Sequence, residues 1–213
     1  MAEIKAIETY YNGYRFRSRL EARWAVFFDT LGIEYQYEPE GFQGNGYAYL
    51  PDFYLHQDRM YVEVKPLKEG ADESIEKATK FLGKEIETLL LLPNIPYDKK
   101  DGMWFFPVLY RHPVTRCVDY KFITFAYDIE KSIYCLDTEC FDTVPEDPYE
   151  HRNMWAFDKD STRRKALTEY LLKPRYISHD DAVCMYGDET MDATIMSAFK
   201  KARSARFEHG EKG

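Results

Sequence analysis

The sequence predicts an α/β fold with a small mixed core in residues 1–95, and three observations predict it. Leu20, Trp24, Phe27, Phe28 and Leu31 recur at helical spacing. Three short strand patterns follow, separated by turn residues. A second helical pattern then leads into an aliphatic strand, so helix and strand periods alternate along one chain.

The first helix is expected to begin at Ser18 and to stop at Gly32, a residue that tolerates the left-handed end of a helix. A strand over Ile33–Tyr37 ends at Glu38-Pro39-Glu40-Gly41. The Gly44-Asn45-Gly46 turn introduces a second strand over Tyr47–Leu55, and a third, Met60–Lys65, stops at Pro66. Asp72 is placed to cap a second helix reaching Leu82, with Ile75, Ala78 and Leu82 on one face. Ile86–Leu92 reads as a buried strand closed by Pro93. Residues 96–160 read as an aromatic elaboration, with hairpin alternation around Val118–Phe125 and an acidic connection over Glu139–Asp160. Residues 161–213 read as helical, near Thr162–Leu172 and Ala193–Phe207, and packed on the core. The whole is expected to form one domain.

Composition excludes several classes. Hydrophobic residues make up 45% of the chain, enough for a globular core rather than a disordered one. The longest aliphatic run, Leu89–Leu92, is far short of the about 20 apolar residues that a bilayer requires. There is no basic-then-apolar leader pattern, and the four cysteines are too scattered for a disulfide framework. A cytoplasmic protein with reduced thiols and no membrane partner is expected. Net charge is −8, which argues against non-specific coating of nucleic acid. Yet no acid lies between Glu8 and Glu21, where Arg15, Arg17 and Arg19 stand among tyrosines. None lies between Asp192 and Glu208, which enclose Lys200, Lys201, Arg203 and Arg206. Two such segments either direct a polyanion to one face or are solvated helix ends.

The most informative stretch is Tyr61-Val62-Glu63-Val64-Lys65. Strand alternation puts Val62 and Val64 on one side and Tyr61, Glu63 and Lys65 on the other. Asp52, at the edge of the neighbouring strand, converges on Glu63 if the two strands pair. Two hard oxygen ligands at that separation suit Mg²⁺ or Mn²⁺. On a helical wheel Glu21 flanks the apolar face beside Trp24 and Phe28, at the rim of the core. Each feature alone has a plain meaning: a solvated ion pair, a turn, a surface glutamate. Their joint occurrence, in order and on the expected elements, is what points to a site.

With Ser18-Arg19-Leu20-Glu21-Ala22-Arg23-Trp24 on the first helix, Pro51-Asp52-Phe53 on the second strand and Glu63-Val64-Lys65 on the third, the sequence resembles the PD-(D/E)XK nuclease superfamily. The resemblance covers about residues 14–92 and is similar to the arrangement in junction resolvases, mismatch-nicking repair endonucleases and some transposase endonuclease subunits. Pro66 stands where many relatives place Gly. The resemblance implies a restriction-endonuclease-like core (helix, three strands, helix, strand) with a β-rich insertion and C-terminal helices. It implies a Mg²⁺- or Mn²⁺-dependent endonuclease or nickase acting on DNA, with Glu21, Asp52, Glu63 and Lys65 catalytic. Asp52, Glu63, the Val64 carbonyl and Glu21 would form the metal shell, and Lys65 would orient the attacking water. Arg15, Arg17, Arg23, Lys200 and Arg203 would hold phosphates.

The second helix often adds a polar group in relatives, here Lys77 or Lys80, although Glu73 with Lys77 reads more simply as a surface pair. Many relatives are homodimers. The stretch from Ala202 to Gly210 resembles the tail of phage and prophage proteins with this core, and implies no activity. The alternative is a catalytically silent nuclease-fold protein that binds a nucleic acid or a host or phage protein, which the 18 Tyr and 14 Phe would suit. Zinc held by His112, Cys117, Cys135 and Cys140 is the weaker reading of those residues, because both pairs are loosely spaced.

Overall fold

The computed structural model describes residues 7–44, 46–68, 70–97, 102–137, 161–178 and 192–207. It opens with a hairpin, β1 (Thr9–Tyr11) and β2 (Tyr14–Phe16), that the sequence reading passed over as a cationic segment. Asn12 and Gly13 connect them with φ of 45° and 83°. Two positive φ values in a two-residue loop are what Asn-Gly accommodates, so the signal was present in the sequence.

Helix α1 (Arg19–Leu31) is capped by Ser18, whose hydroxyl accepts the Glu21 N–H, and it ends on Gly32 at φ 68° as expected. Strands β3 (Tyr35–Tyr37), β6 (Phe53–Leu55) and β7 (Met60–Val64) follow in antiparallel register. The strand expected over 47–55 is divided. Its first part, β5 (Tyr47–Tyr49), pairs with β4 (Phe42–Gly44) in a separate ribbon. Pro51, which has no N–H to give a ladder, lies in the break between β5 and β6.

Helix α2 (Ala71–Thr79) is the crossover to the parallel strand β8 (Thr88–Leu92). Its cap is Gly70 rather than Asp72, and it ends before Leu82. Asp72 is buried instead against Arg164. Strands β9 (Gly102–Arg111), β10 (Val118–Asp128) and β11 (Ile133–Asp137) form an antiparallel meander that continues the same sheet from β8. The order is β11-β10-β9-β8-β7-β6-β3, so the expected aromatic elaboration widens the core sheet. The expected connection over 139–160 lies outside the described residues.

Helix α3 (Ser161–Leu171) and helix α4 (Ala193–Ser204) match the two expected C-terminal helices. Between them β12 (Arg175–Ser178), not foreseen from sequence, pairs with Gly102–Phe105 of β9. Among the described residues no helix is long and apolar enough to cross a membrane.

The result is a mixed α/β fold whose sheet has two apolar faces. Alternation along β8 sends Leu90 and Leu92 to the face covered by α1 and α4, with Trp24, Phe27, Val62 and Phe199. Leu89 and Leu91 go to the face covered by α2 and α3, with Ile75, Ala78, Leu167 and Leu171. Helix α4 docks through Ile195, Phe199 and Ala202, the stripe expected from its sequence, and Phe199 stacks on Phe27 with ring centroids 4.5 Å apart. Phe199→Ala should therefore cost about 3–5 kcal/mol in urea denaturation. The exposed neighbour change Lys200→Ala should stay within about 0.5 kcal/mol. Equal small effects would show that α4 is not held by this stripe.

Candidate active site

Both helical layers reach one edge of the sheet. The first turn of α1 arrives from one face, Ser74 and Lys77 of α2 from the other, and the end of β7 lies between them beside Asp52. These groups line a cleft of about 590 Å³ together with Arg17, Arg19, Glu21, Tyr49, Leu50, Glu63, Val64, Lys65 and Lys68. The structure thus brings Glu21, Asp52, Glu63 and Lys65 into one cleft.

Asp52 sits just before β6, where its backbone N–H donates to the Val62 carbonyl at 3.0 Å. That register aims its side chain back at the end of β7, and Oδ2 accepts the Val64 N–H at 2.7 Å. Oδ1 pairs with Arg17 Nη2 at 2.7 Å, and the Arg17 Nε pairs with Glu38 at 2.7 Å. Burial, reinforced by the nearby charges of Glu63 and Glu21, pushes the Asp52 carboxyl well above the usual carboxylate range; the Val64 N–H and Arg17 oppose this.

Glu63 is buried, and Lys65 Nζ lies 2.9 Å from its Oε1. Its Oε2 accepts the Tyr49 hydroxyl at 2.8 Å, while Ser74 Oγ stands 3.5 Å from Oε1. Burial and the neighbouring Glu63 raise the Tyr49 phenol, which keeps it protonated and donating.

Glu21, expected to complete a metal shell directly or through water, has both carboxylate oxygens engaged by protein donors. Oε1 accepts the Ser18 hydroxyl at 2.7 Å, and Oε2 accepts the Tyr37 hydroxyl at 2.7 Å and the Arg17 N–H at 3.0 Å. Those bonds fix the start of α1 and leave Glu21 acting on Asp52 as a neighbouring charge. Tyr37, Tyr49 and Ser74 were not singled out from sequence, and Ser18 was read as the start of α1 without a role beside Glu21. The Ser18-x-x-Glu21 spacing of a capping box was the available signal for that role, whereas the tyrosines are placed by tertiary contacts alone.

The cationic residues divide. Arg17 lines the cleft, whereas Arg15, Arg23, Lys200 and Arg203 do not. Arg15 pairs with Glu8 on the hairpin, and the Arg203 guanidinium donates to the Pro96 carbonyl. Lys200 and Arg203 of the C-terminal helix were expected to hold phosphates, which would need that helix to flank the cleft. Its apolar stripe instead seats it against α1, and its lysines stay outward. The cleft draws its positive charge from closer residues. Among the described residues, Arg17, Arg19, Lys65, Lys68 and Lys77 outnumber the carboxylates of Glu21, Asp52 and Glu63 on a chain whose net charge is −8.

Of the weaker zinc set, His112 Nδ1 accepts the Val114 and Thr115 N–H groups inside the β9–β10 turn, and Cys140 lies outside the described residues. Compared with family models, curated proteins and solved structures, the chain matches none.

A divalent cation can be tested against the donors themselves. Among the described residues no three His, Cys, Asp or Glu side chains converge closely enough to hold a metal ion. Three buried carboxylates share the cleft, and two of them already carry a cationic partner, Arg17 on Asp52 and Lys65 on Glu63. Hard oxygens that attract positive charge fit Mg²⁺ or Mn²⁺, which take one or two carboxylates and fill the remaining positions with water and phosphate.

The raised Asp52 carboxyl has a consequence for stability. Above the ordinary Asp range the native protein retains a proton that the unfolded chain has released, so stability from this group falls as pH rises through that window. Asp52→Asn does not titrate, so its stability relative to the wild type should rise from pH 4 to pH 8 without added metal, on top of a pH-independent cost, because both carboxylate oxygens accept N–H donors and the amide offers one acceptor. A relative stability that falls over that range would show that the Arg17 ion pair outweighs the burial and repulsion.

Proposed function

We propose that the chain is a Mg²⁺- or Mn²⁺-dependent endonuclease or nickase of the PD-(D/E)XK type with a restriction-endonuclease-like core, acting on DNA. The observation that carries this reading is the Asp52, Glu63 and Lys65 constellation at the floor of a cleft whose cations outnumber its acids. Among alternatives for such a cleft, a polyanionic substrate matches its charge better than the acidic body around it.

Asp52 and Glu63 would hold the ion, joined by the Val64 carbonyl that the resemblance implies, and the ion would supply positive charge against the phosphate oxygens. Lys65 would hold the attacking water. Its ammonium spends one donor on Glu63, which fixes the side chain and leaves two N–H groups for water and phosphate. Tyr49 and Ser74 orient Glu63, and the Val64 N–H orients Asp52, so neither carboxylate must reorganise as charge builds. Glu21 positions α1 and with it Arg17, while Arg19, Lys68 and Lys77 attract the phosphate backbone.

The second reading, a silent nuclease-fold protein that binds a partner, is favoured by the ion pairs that already occupy the carboxylates, Arg17 on Asp52 and Lys65 on Glu63. Conversion of supercoiled plasmid separates the two readings. Wild type with Mn²⁺ should nick or cut, and Lys65→Ala should lose about 100-fold or more in rate, the scale of removing one preorganised donor. Lys173→Ala, remote and paired with Glu169 on the surface, should leave the rate unchanged. No cleavage by wild type under Mg²⁺ or Mn²⁺, on duplex or single strands, would leave the binding protein as the better reading.

A further inference from the structure

Two of the three buried carboxylates of the cleft, Asp52 and Glu63, carry cationic partners, and they hold them in different ways. Lys65 belongs to the strand end that carries Glu63, and its side chain is 19% exposed. Arg17 reaches Asp52 from the loop between β2 and α1, and its side chain is 53% exposed while that of Asp52 is 6% exposed. The partner at Oδ2 is a backbone N–H and cannot leave without breaking β7. The partner at Oδ1 sits on a flexible arm whose other nitrogen is tethered to Glu38, in a cleft open to solvent.

A guanidinium at 2.7 Å from Oδ1 occupies the space that a second cation would need, and repels it as a like charge. The same guanidinium matches a phosphate diester in shape and charge, since its planar fork can give two parallel N–H bonds to adjacent oxygens. Phosphate therefore competes with Asp52 and Glu38 for Arg17, and a divalent cation competes with Arg17 for Asp52. When both ligands arrive together, each relieves the cost of the other.

We infer that Arg17 is a phosphate-operated latch on Asp52: it closes Oδ1 against divalent cations in the free protein and swings to the substrate phosphate when nucleic acid enters. Binding of cation and substrate are thereby coupled, and a free protein in a cation-rich solution stays disarmed. The inference rests on the nuclease reading. It goes beyond that reading by giving Arg17 two successive partners rather than phosphate contact alone. Thermodynamic linkage then requires the ion to strengthen nucleic-acid binding by the same factor as nucleic acid strengthens ion binding.

Calorimetric titration of Mn²⁺ into the full chain tests it, with and without a duplex oligonucleotide whose phosphorothioate linkages resist cleavage. Arg17→Gln should bind Mn²⁺ about tenfold more tightly than wild type in the absence of oligonucleotide, within the about 5–150-fold range common for coupled sites. Arg17→Lys keeps the charge but has no fork to span Glu38 and Asp52, and should fall between. Lys173→Gln removes the same charge from a surface pair with Glu169 outside the cleft, and should change Mn²⁺ affinity by less than about twofold, as screening weakens distant charges. The oligonucleotide should tighten Mn²⁺ binding more in wild type than in Arg17→Gln. Melting curves of each variant confirm that the fold is intact. Equal shifts in Arg17→Gln and Lys173→Gln, or no shift in either, would overturn the latch and leave the nuclease reading standing. No Mn²⁺ binding by any variant, even with oligonucleotide, would overturn both.

Discussion

The bonds of one residue, Asp52, tie together the edge of the sheet on which the site depends. Its carbonyl accepts the Glu38 N–H at 2.9 Å, its N–H donates to Val62 at 3.0 Å, and its carboxylate accepts the Val64 N–H. The exit of β3, the entry of β6 and the exit of β7 are thus joined through a single position. Because the same carboxylate faces Glu63, Glu21 and Arg17, the sheet edge cannot form without assembling the acidic cluster. Fold and site share one constraint.

Such a cluster is costly to bury, and the surrounding residues offset the cost with hydrogen-bond donors and charge. Tyr49 and Tyr37 each give a hydroxyl to a glutamate, Ser18 gives another, and Lys65 and Arg17 supply charge. The aromatic rings bring apolar area as well as these donors. Tyr37 packs on Phe16 and Phe53, and Tyr49 stacks on Phe81, so each hydroxyl is fixed by a ring that belongs to the core. A cluster built this way is preorganised by packing, which the proposed chemistry at a substrate oxygen would require.

Much of this was legible in the sequence where local period decides the outcome. The face of α1 follows from Leu20, Trp24, Phe27 and Phe28, its end from Gly32, and the shared side of Glu63 and Lys65 from strand alternation. The docking stripe of α4 follows from Ile195, Phe199 and Ala202. What stayed hidden depends on partners distant in sequence. Arg164 takes Asp72 out of its expected cap, and β12 exists because β9 offers it an edge some seventy residues earlier. Which layer α4 covers was likewise beyond a charge pattern: helical period gives the buried stripe but not the surface that receives it. The Asn12-Gly13 hairpin was a different kind of miss, since its turn chemistry was in plain view.

Placement of positive charge follows the same logic. Arg17, Arg19, Lys65 and Lys68 enter the cleft, whereas Arg23, on α1 beside Glu21 in sequence, does not, and Lys200 and Arg203 are carried elsewhere by the packing of α4. That the sheet edge at Asp52 and Glu63 receives a divalent cation is the central claim, and affinity cleavage measures it most directly. Fe²⁺ substituted for Mg²⁺, with ascorbate and peroxide, generates radicals that cut the backbone next to the ion, and mass spectrometry locates the cuts. Scission near residue 52 and near residues 63–65, suppressed by excess Mg²⁺, is the predicted result. Scission confined to other segments such as that around His112, or none that Mg²⁺ suppresses, would contradict it.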